Sequence, residues 1–259
     1  MFHVLEEKRF DSARRPGEYL NYLYYAPKDA EAPMPLVVYI HGAGSRGKSL
    51  DQMGVIGPIK LIEEGKSFPA MLAAPQCHED HWFDLFETLA EFIDAMRHDP
   101  RVDVKRVYVA GSSMGGFTTI NTLRRIPWIK AGVCMAPYDM PWFFENDEVQ
   151  SFRDLLPEGA CLKQESPTSL FENAQACYKE LAFSQAFDDL KDRNLYFIGG
   201  KKDFLAPPAT MIEPLYNRLK AHETTAVQKY DLLDSDHSFS DMRITMCTMV
   251  GKWIASMVD

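Results

Sequence analysis

Ser113 stands at the centre of Gly111-Ser112-Ser113-Met114-Gly115-Gly116, directly after the apolar run Arg106–Ala110 and directly before a helical pattern. This GxSxG arrangement suits a strand that reverses sharply into a helix. The serine is held in a strained backbone, and Gly111 and Gly115 remove the side chains that would collide there. The hydroxyl is then presented at a helix N-terminus, where free N–H groups and the helix dipole favour developing negative charge. A serine hydroxyl is a weak nucleophile at neutral pH, so it needs a base within hydrogen-bond reach, oriented in turn by an acid. Asp203 follows the apolar run Leu195–Gly199, and His237 lies in the polar stretch Asp234-Ser235-Asp236-His237-Ser238-Phe239. Ligand sites of parallel α/β sheets lie at the carboxyl edge of the strands, which is where both loops fall. The chain order Ser113, Asp203, His237 is that of one triad-bearing fold and differs from other serine hydrolase folds. Asp234 and Asp236 are competing acids, but they lie so near His237 that they are expected to shape its loop.

Acyl chemistry at a serine also needs donors for the oxyanion of the tetrahedral intermediate. His41-Gly42-Ala43-Gly44 follows the run Leu36–Ile40, and small residues there let backbone N–H groups approach a substrate. The expected oxyanion hole pairs the N–H of Ala43 with that of Met114. His41 is expected to anchor the loop rather than act as a base. Gly44, Trp82, Trp142 and Phe143 are the candidate substrate contacts. The last two belong to the aromatic run Tyr138, Met140, Trp142, Phe143 and Phe144, which suits either an apolar substrate wall or the core of a cap. Arg46 could meet a substrate carboxylate, but solvation is the expectation. Cys77-His78-Glu79-Asp80-His81 contains metal-ligand types, yet adjacent ligands rarely converge on one ion, so a polar loop without metal is expected.

The elements that must position these residues are legible in the apolar periods. Residues 2–10 and 18–25 are aromatic-rich and turn at Arg15-Pro16-Gly17, which predicts an antiparallel hairpin at a sheet edge. Continuous apolar runs at 36–40, 71–74, 106–110, 131–135 and 195–199 suit parallel strands buried on both faces. Trp82, Leu85, Phe86, Leu89, Phe92, Ile93 and Met96 recur at helical spacing. Further helices are expected at 114–126, stopped by Pro127, and at 210–221 and 239–257 around a short strand at 226–231. The result is an alternating α/β architecture in one domain spanning 1–259. Roughly sixty residues separate Met135 from Leu195, far more than the ~10–12 that a crossover requires. The segment 138–190 is therefore expected to be a small, partly helical cap, with a helix from Ser169 to Leu190.

With 46% apolar and 25% charged residues, the composition is that of an ordinary globular protein, which excludes disorder, collagen and coiled coil. Lys+Arg 28 against Asp+Glu 37 gives a net charge of -9, which makes nucleic acid and anionic membranes poor partners. The five cysteines form no CxxC pair and are odd in number, as befits a reducing compartment. The N-terminal residues lack the ~7–15-residue apolar segment of a secretory signal, and no run approaches a membrane span of ~20 residues. A cytoplasmic location is expected. Oligomeric state is left open, a homodimer included.

Taken with Ala74-Pro75-Gln76-Cys77 and Trp82, the loop His41–Gly47 and the Gly111–Gly116 motif resemble the α/β-hydrolase family. More narrowly, they are similar to its bacterial carboxylesterase and predicted-peptidase group, which includes feruloyl esterases. The resemblance implies an eight-stranded, mostly parallel sheet flanked by helices, a Ser/Asp/His triad, an acyl-serine intermediate and no cofactor. The expected activity is hydrolysis of carboxylic esters of small or medium soluble substrates, aryl or hydroxycinnamoyl esters among them. An aminopeptidase or amidase, or a thioesterase or acyl transferase, would use the same triad. A non-catalytic ligand-binding receptor would show a damaged triad or oxyanion loop, and neither is visible. The long segment 138–190 departs from compact members of the group, so the resemblance does not carry a substrate across.

Overall fold

The computed structural model describes residues 4–27, 33–54, 57–148, 150, 151, 154 and 179–257. Its centre is an eight-stranded sheet: β1 (Glu6–Asp11), β2 (Tyr19–Tyr25), β3 (Met34–Ile40), β4 (Met71–Pro75), β5 (Val102–Ser112), β6 (Ala131–Met135), β7 (Asn194–Gly200) and β8 (Gln228–Leu233). The strand order is β1-β2-β4-β3-β5-β6-β7-β8. β1 pairs antiparallel with β2, and β2 antiparallel with β4, while every later pairing is parallel. The expected hairpin at a sheet edge and the expected parallel runs are thus in place. The outermost strand β1 carries Glu6, Glu7, Lys8 and Arg9 and is largely exposed, so charge discourages pairing of that edge with another chain.

Alternation along the buried strands divides the core into two layers, because successive side chains point to opposite faces. Leu36, Val38 and Ile40 of β3, Val107 and Val109 of β5, and Leu195 and Phe197 of β7 face one layer. There they meet Leu89, Phe92 and Ile93 of helix α2 (Phe86–Arg97) and Phe117, Ile120 and Leu123 of helix α3 (Met114–Arg125). The intervening residues Val37, Tyr39, Tyr108, Ala110, Tyr196 and Ile198 face the other layer. That layer is closed by Ile59 and Ile62 of helix α1 (Gly57–Glu63) and by Met246, Trp253 and Ile254 of the C-terminal helix Arg243–Ala255. Burial on both faces is why these strands read as continuous apolar runs rather than alternating ones.

Several boundaries differ from the sequence reading for local reasons. The helix expected from Trp82 starts as a tight turn at Trp82–Leu85, capped by the His81 ring, and becomes α-helical only at Phe86. The helix expected at 210–221 is two pieces, Pro208–Met211 and Glu213–Lys220. Pro214 lacks an N–H and starts the second piece, as proline does at a helix entry. The final strand lies two residues further along than the expected 226–231. Of the expected cap, helix α4 (Met140–Glu145), the turn Phe183–Gln185 and the short helix Phe187–Leu190 are described. Of the single helix expected from Ser169 to Leu190, residues 169–178 lie outside the described residues, and the described remainder is not continuous, being interrupted at Ala182 and Ala186. The two ends of the segment meet where the N–H of Phe183 donates to the buried Asp139 carboxyl at 3.4 Å. Among the described residues no helix is long and apolar enough to cross a membrane.

Candidate active site

The sheet order reverses between β3 and β5. From β3 the chain moves outward to β4, then returns to the opposite side of β3 as β5. Loops leaving the carboxyl ends of β3 and β5 therefore splay apart around a crevice, the usual ligand position in such sheets. The first loop carries His41–Ser45 and the second carries Ser113.

Ser113 has φ 55° and ψ −121°, a sparsely populated region for a residue with a side chain. Its conformation is over-determined. Its N–H donates to Met135 O at 2.9 Å, and its carbonyl accepts from Phe117 N at 3.0 Å and Tyr138 N at 3.3 Å. The two glycines of the motif act through close approach. A Cβ at Gly115 would overlap the carbonyl of Ile40, and one at Gly111 would overlap the carbonyl of Gly115. Without side chains at these positions α3 can lie directly on β3 and β5, which aims Ser113 into the crevice.

Asp203 and His237 arrive from neighbouring strands. β7 and β8 are paired to their ends, Gly200 opposite Leu233. Beyond them the loops stay together, since Lys201 N donates to Leu233 O at 2.8 Å and Lys202 N to Ser235 O at 3.0 Å. A Cβ at Gly200 would come within 2.6 Å of Ser235 O, so glycine is what permits that approach. The Asp203 side chain is fully buried and its Oδ1 accepts from the N–H groups of Leu205 (3.0 Å) and Ala206 (2.8 Å). Its Oδ2 lies 2.8 Å from His237 Nδ1, and His237 Nε2 lies 2.8 Å from Ser113 Oγ. The three residues thus form one unbroken hydrogen-bonded chain. Asp236 does shape the loop: its Oδ1 accepts from Ser238 N (3.0 Å) and Ser240 N (2.9 Å), and these bonds hold its carboxyl below the usual range. Asp234 pairs with Lys202 at 3.2 Å.

The Gly42–Ser45 loop forms the facing wall. Ala43 opens a single tight turn of helix, and Met114 is the first residue of α3. Among the described residues neither N–H donates to a backbone carbonyl outside its own helix, and Ala43 lines the cavity over Ser113, whereas Met114 is buried beside it. His41 is fully buried beneath this loop. Its Nδ1 lies 2.7 Å from Gly42 O and its Nε2 3.0 Å from Cys77 N. Because Cys77 N–H can only donate, Nε2 must accept and Nδ1 must carry the proton. His41 is therefore a neutral anchor.

Trp82 does not touch the crevice, contrary to the substrate-binding role expected of it. Its side chain is fully buried, and its Nε1–H donates to His41 O at 3.0 Å. The ring packs on His41 with centroids 5.1 Å apart. Arg46 also departs from expectation, being neither solvated nor aimed at a ligand. Its side chain is 13% exposed, and it donates to Ala43 O at 2.9 Å and Asp80 O at 2.6 Å. Gln76 completes the support by donating to Ser49 O at 2.8 Å. The segment 76–82 is thus a brace for the His41–Ser45 loop, and His81 caps the turn at Trp82. Among the described residues no group of three His, Cys, Asp or Glu could hold a metal ion.

Burial drives the pKa of His41 down to about 4. Between about pH 4 and the ordinary histidine value of ~6.5, the unfolded chain binds a proton that the folded chain refuses, so stability falls as pH falls through this window. Unfolding free energy measured by urea titration across that window should rise with pH more steeply for wild type than for His41→Gln, by about 1.4 kcal/mol per pH unit. Equal slopes would mean that His41 takes up its proton in the folded state.

A cavity of about 340 Å³ opens over Ser113 and His237, lined also by Tyr39, Ala43, Gly44, Leu205, Phe239, Arg243 and Met246. Gly44 thus borders the crevice as expected. Trp142 and Phe143 border a different cavity, of about 420 Å³, with Phe204, Pro207 and Met211. Leu205 is shared by both cavities. Phe143 is buried against Met140, Ala206 and Met211, whereas Trp142 is half-buried, so the aromatic run supplies both local core and a wall. Leu205 and Phe239, each two residues beyond a triad position, escaped the sequence reading. An apolar residue beside a catalytic-type Asp or His in a polar loop is the signal that could have found them. Met246 left no such signal.

No protein-family model matches the chain. A Bacillus subtilis (strain 168) protein bearing the name "Putative esterase YitV" is 26% identical over 229 residues, 79% of this chain and 82% of that protein. Among solved structures, a Pyrococcus furiosus esterase has a TM-score of 0.68 at 16% identity, over 98% of this chain and 91% of its own. A thermostable esterase (TM-score 0.57, 17% identity) and puromycin hydrolase (TM-score 0.70, 16% identity) are each matched over 98% of this chain. This chain spans only 60% and 39% of those two proteins.

Proposed function

We propose that this chain, which has the α/β-hydrolase fold and is 26% identical to a protein named a putative esterase, hydrolyses carboxylic esters of small or medium substrates through an acyl-serine intermediate. The observation that carries this reading is the chain of two 2.8 Å hydrogen bonds from Asp203 through His237 to Ser113. Asp203 holds the imidazole with its proton on Nδ1, which leaves the Nε2 lone pair directed at Ser113 Oγ. As Oγ attacks the ester carbonyl carbon, its proton passes to Nε2 and the imidazolium is stabilised by the buried carboxylate. The carbonyl oxygen, now an oxyanion, is received by the N–H groups of Ala43 and Met114, the latter at the positive end of α3. Collapse of the intermediate breaks the C–O bond, and Nε2 returns its proton to the departing alkoxide. Water then repeats the sequence and releases the acid.

An aminopeptidase would use the same triad, but it must also recognise a substrate ammonium group. Among the described residues lining the cavity there is no Asp or Glu, and the charged side chain present is Arg243. That composition favours esters over peptides with a free amino terminus. The free thiols of Cys77, Cys134 and Cys247 suit a reducing, cytoplasmic setting.

A panel of p-nitrophenyl and hydroxycinnamoyl esters, run beside amino-acid anilides, tests the assignment. Ester turnover should exceed anilide turnover for every matched acyl group. Strong anilide cleavage with inert esters would replace this reading by the peptidase one.

A further inference from the structure

Next to the cavity over Ser113 lies a second cavity of about 400 Å³ that the mechanism above does not use. Tyr39, Gly57 and Met246 border both, so the two spaces abut across these three residues. The second is bordered by Val37 from the centre of β3, Ala110 near the carboxyl end of β5 and Met135 at the end of β6. Its walls include Leu61 of α1 and Ile254 of the C-terminal helix. The space is therefore a mainly apolar slot between the sheet, two helices and the loop Lys66–Pro69, with Lys66 and Lys252 on its border.

Gly251 lies inside the C-terminal helix, where glycine costs about 1 kcal/mol relative to alanine. It borders the slot, and a Cβ there would meet no atom within 4 Å. The missing side chain is thus not needed to avoid a clash. Its effect is to leave the slot open. Met246, at the junction, is unbranched and adaptable, the residue type that can yield to a flexible hydrocarbon.

Resting on the reading of Ser113 as the nucleophile, we propose that this slot receives the acyl chain of the substrate, making the protein selective for esters of medium-length unbranched fatty acids. In the first half of the reaction the alcohol departs while the acyl group stays bonded to Ser113. A slot walled by sheet and helices suits the part that stays, and the cavity over Ser113 leaves room for the part that departs. Each methylene moved from water into such a space strengthens transition-state binding as long as the chain still finds apolar wall.

The test measures kcat/KM for p-nitrophenyl acetate, butanoate, hexanoate and octanoate. For wild type it should climb by about fourfold per added methylene, and Gly251→Phe, which fills the slot, should flatten the climb beyond butanoate. A flat wild-type profile with normal acylation of Ser113 overturns the slot while leaving the serine-hydrolase reading intact, as does an unchanged profile in Gly251→Phe. Absence of any acylation of Ser113 overturns both.

A second measurement does not depend on that variant. Cys247 borders the slot as a half-buried free thiol. Wild type is treated with an octyl or an ethyl fluorophosphonate, fluoride leaving as the Oγ–P bond forms. Cys247 is then exposed to methyl methanethiosulfonate and read on its own peptide. Its modification should slow severalfold with the octyl group and not with the ethyl group, and equal rates would overturn the proposal.

Discussion

Ser113→Ala is expected to lower ester turnover by on the order of 10⁶ in kcat while leaving a folded protein. The acyl-serine route is closed because alanine supplies no oxygen to form the acyl bond. The fold survives because what the substitution removes is the hydrogen bond between Oγ and His237 Nε2. The backbone bonds to Met135, Phe117 and Tyr138 that hold the residue at positive φ are untouched. A residual rate above that of water, by roughly 10³–10⁴, should persist from the donors of Ala43 and Met114 and from binding. Covalent labelling by a fluorophosphonate, read by mass spectrometry, should vanish with an unchanged circular dichroism spectrum. Labelling of the alanine variant on the same peptide would remove Ser113 from the mechanism.

Asp203→Asn should cost about 10⁴ in kcat with little effect on KM or stability, for a reason visible in the two carboxylate oxygens. Oδ1 accepts two backbone N–H groups, from Leu205 and Ala206, whereas Oδ2 faces His237 Nδ1. An asparagine side chain must keep its oxygen on the two donors, because its NH₂ group could only confront them. Its NH₂ then points at Nδ1 and forces that nitrogen to accept. The imidazole proton moves to Nε2, where it meets Ser113 Oγ and abolishes the base. Geometry is kept and the tautomer is inverted, so substrate should bind nearly as before. A kcat within tenfold of wild type would show that the acid is supplied from elsewhere, Asp234 or Asp236 being the nearest alternatives in sequence.

The same physics explains which parts of the site were legible in the chain. Ser113 could be read because its constraint is local: a sharp reversal, two close backbone approaches and a helix start occupy six consecutive residues. Asp203 could be read because it follows the apolar strand β7, and His237 because it lies in the polar loop after the last strand; a parallel sheet brings such loops to one edge. His41 was legible as an anchor for the converse reason, since another residue already held the base position. Trp82 and Arg46 were misjudged because their roles are set by partners distant in sequence. The carbonyl of His41 claims the indole, and the carbonyls of Ala43 and Asp80 claim the guanidinium. Neither partner carries a side-chain signature.

By itself the sequence determined the alternating architecture, the strand runs, the elbow and the order of the three chemical groups, since each follows from short-range periodicity or strand-end position. Only the tertiary structure decided that segment 76–82 braces the His41–Ser45 loop, that Trp142 and Phe143 face a separate cavity, and that a mainly apolar slot adjoins the cavity over Ser113. The slot's borders come from β3, β5, β6, α1, the loop Lys66–Pro69 and the C-terminal helix, elements far apart in the chain. A cavity is a property of the space left when elements pack, and no residue along the chain records what its distant neighbours fail to fill.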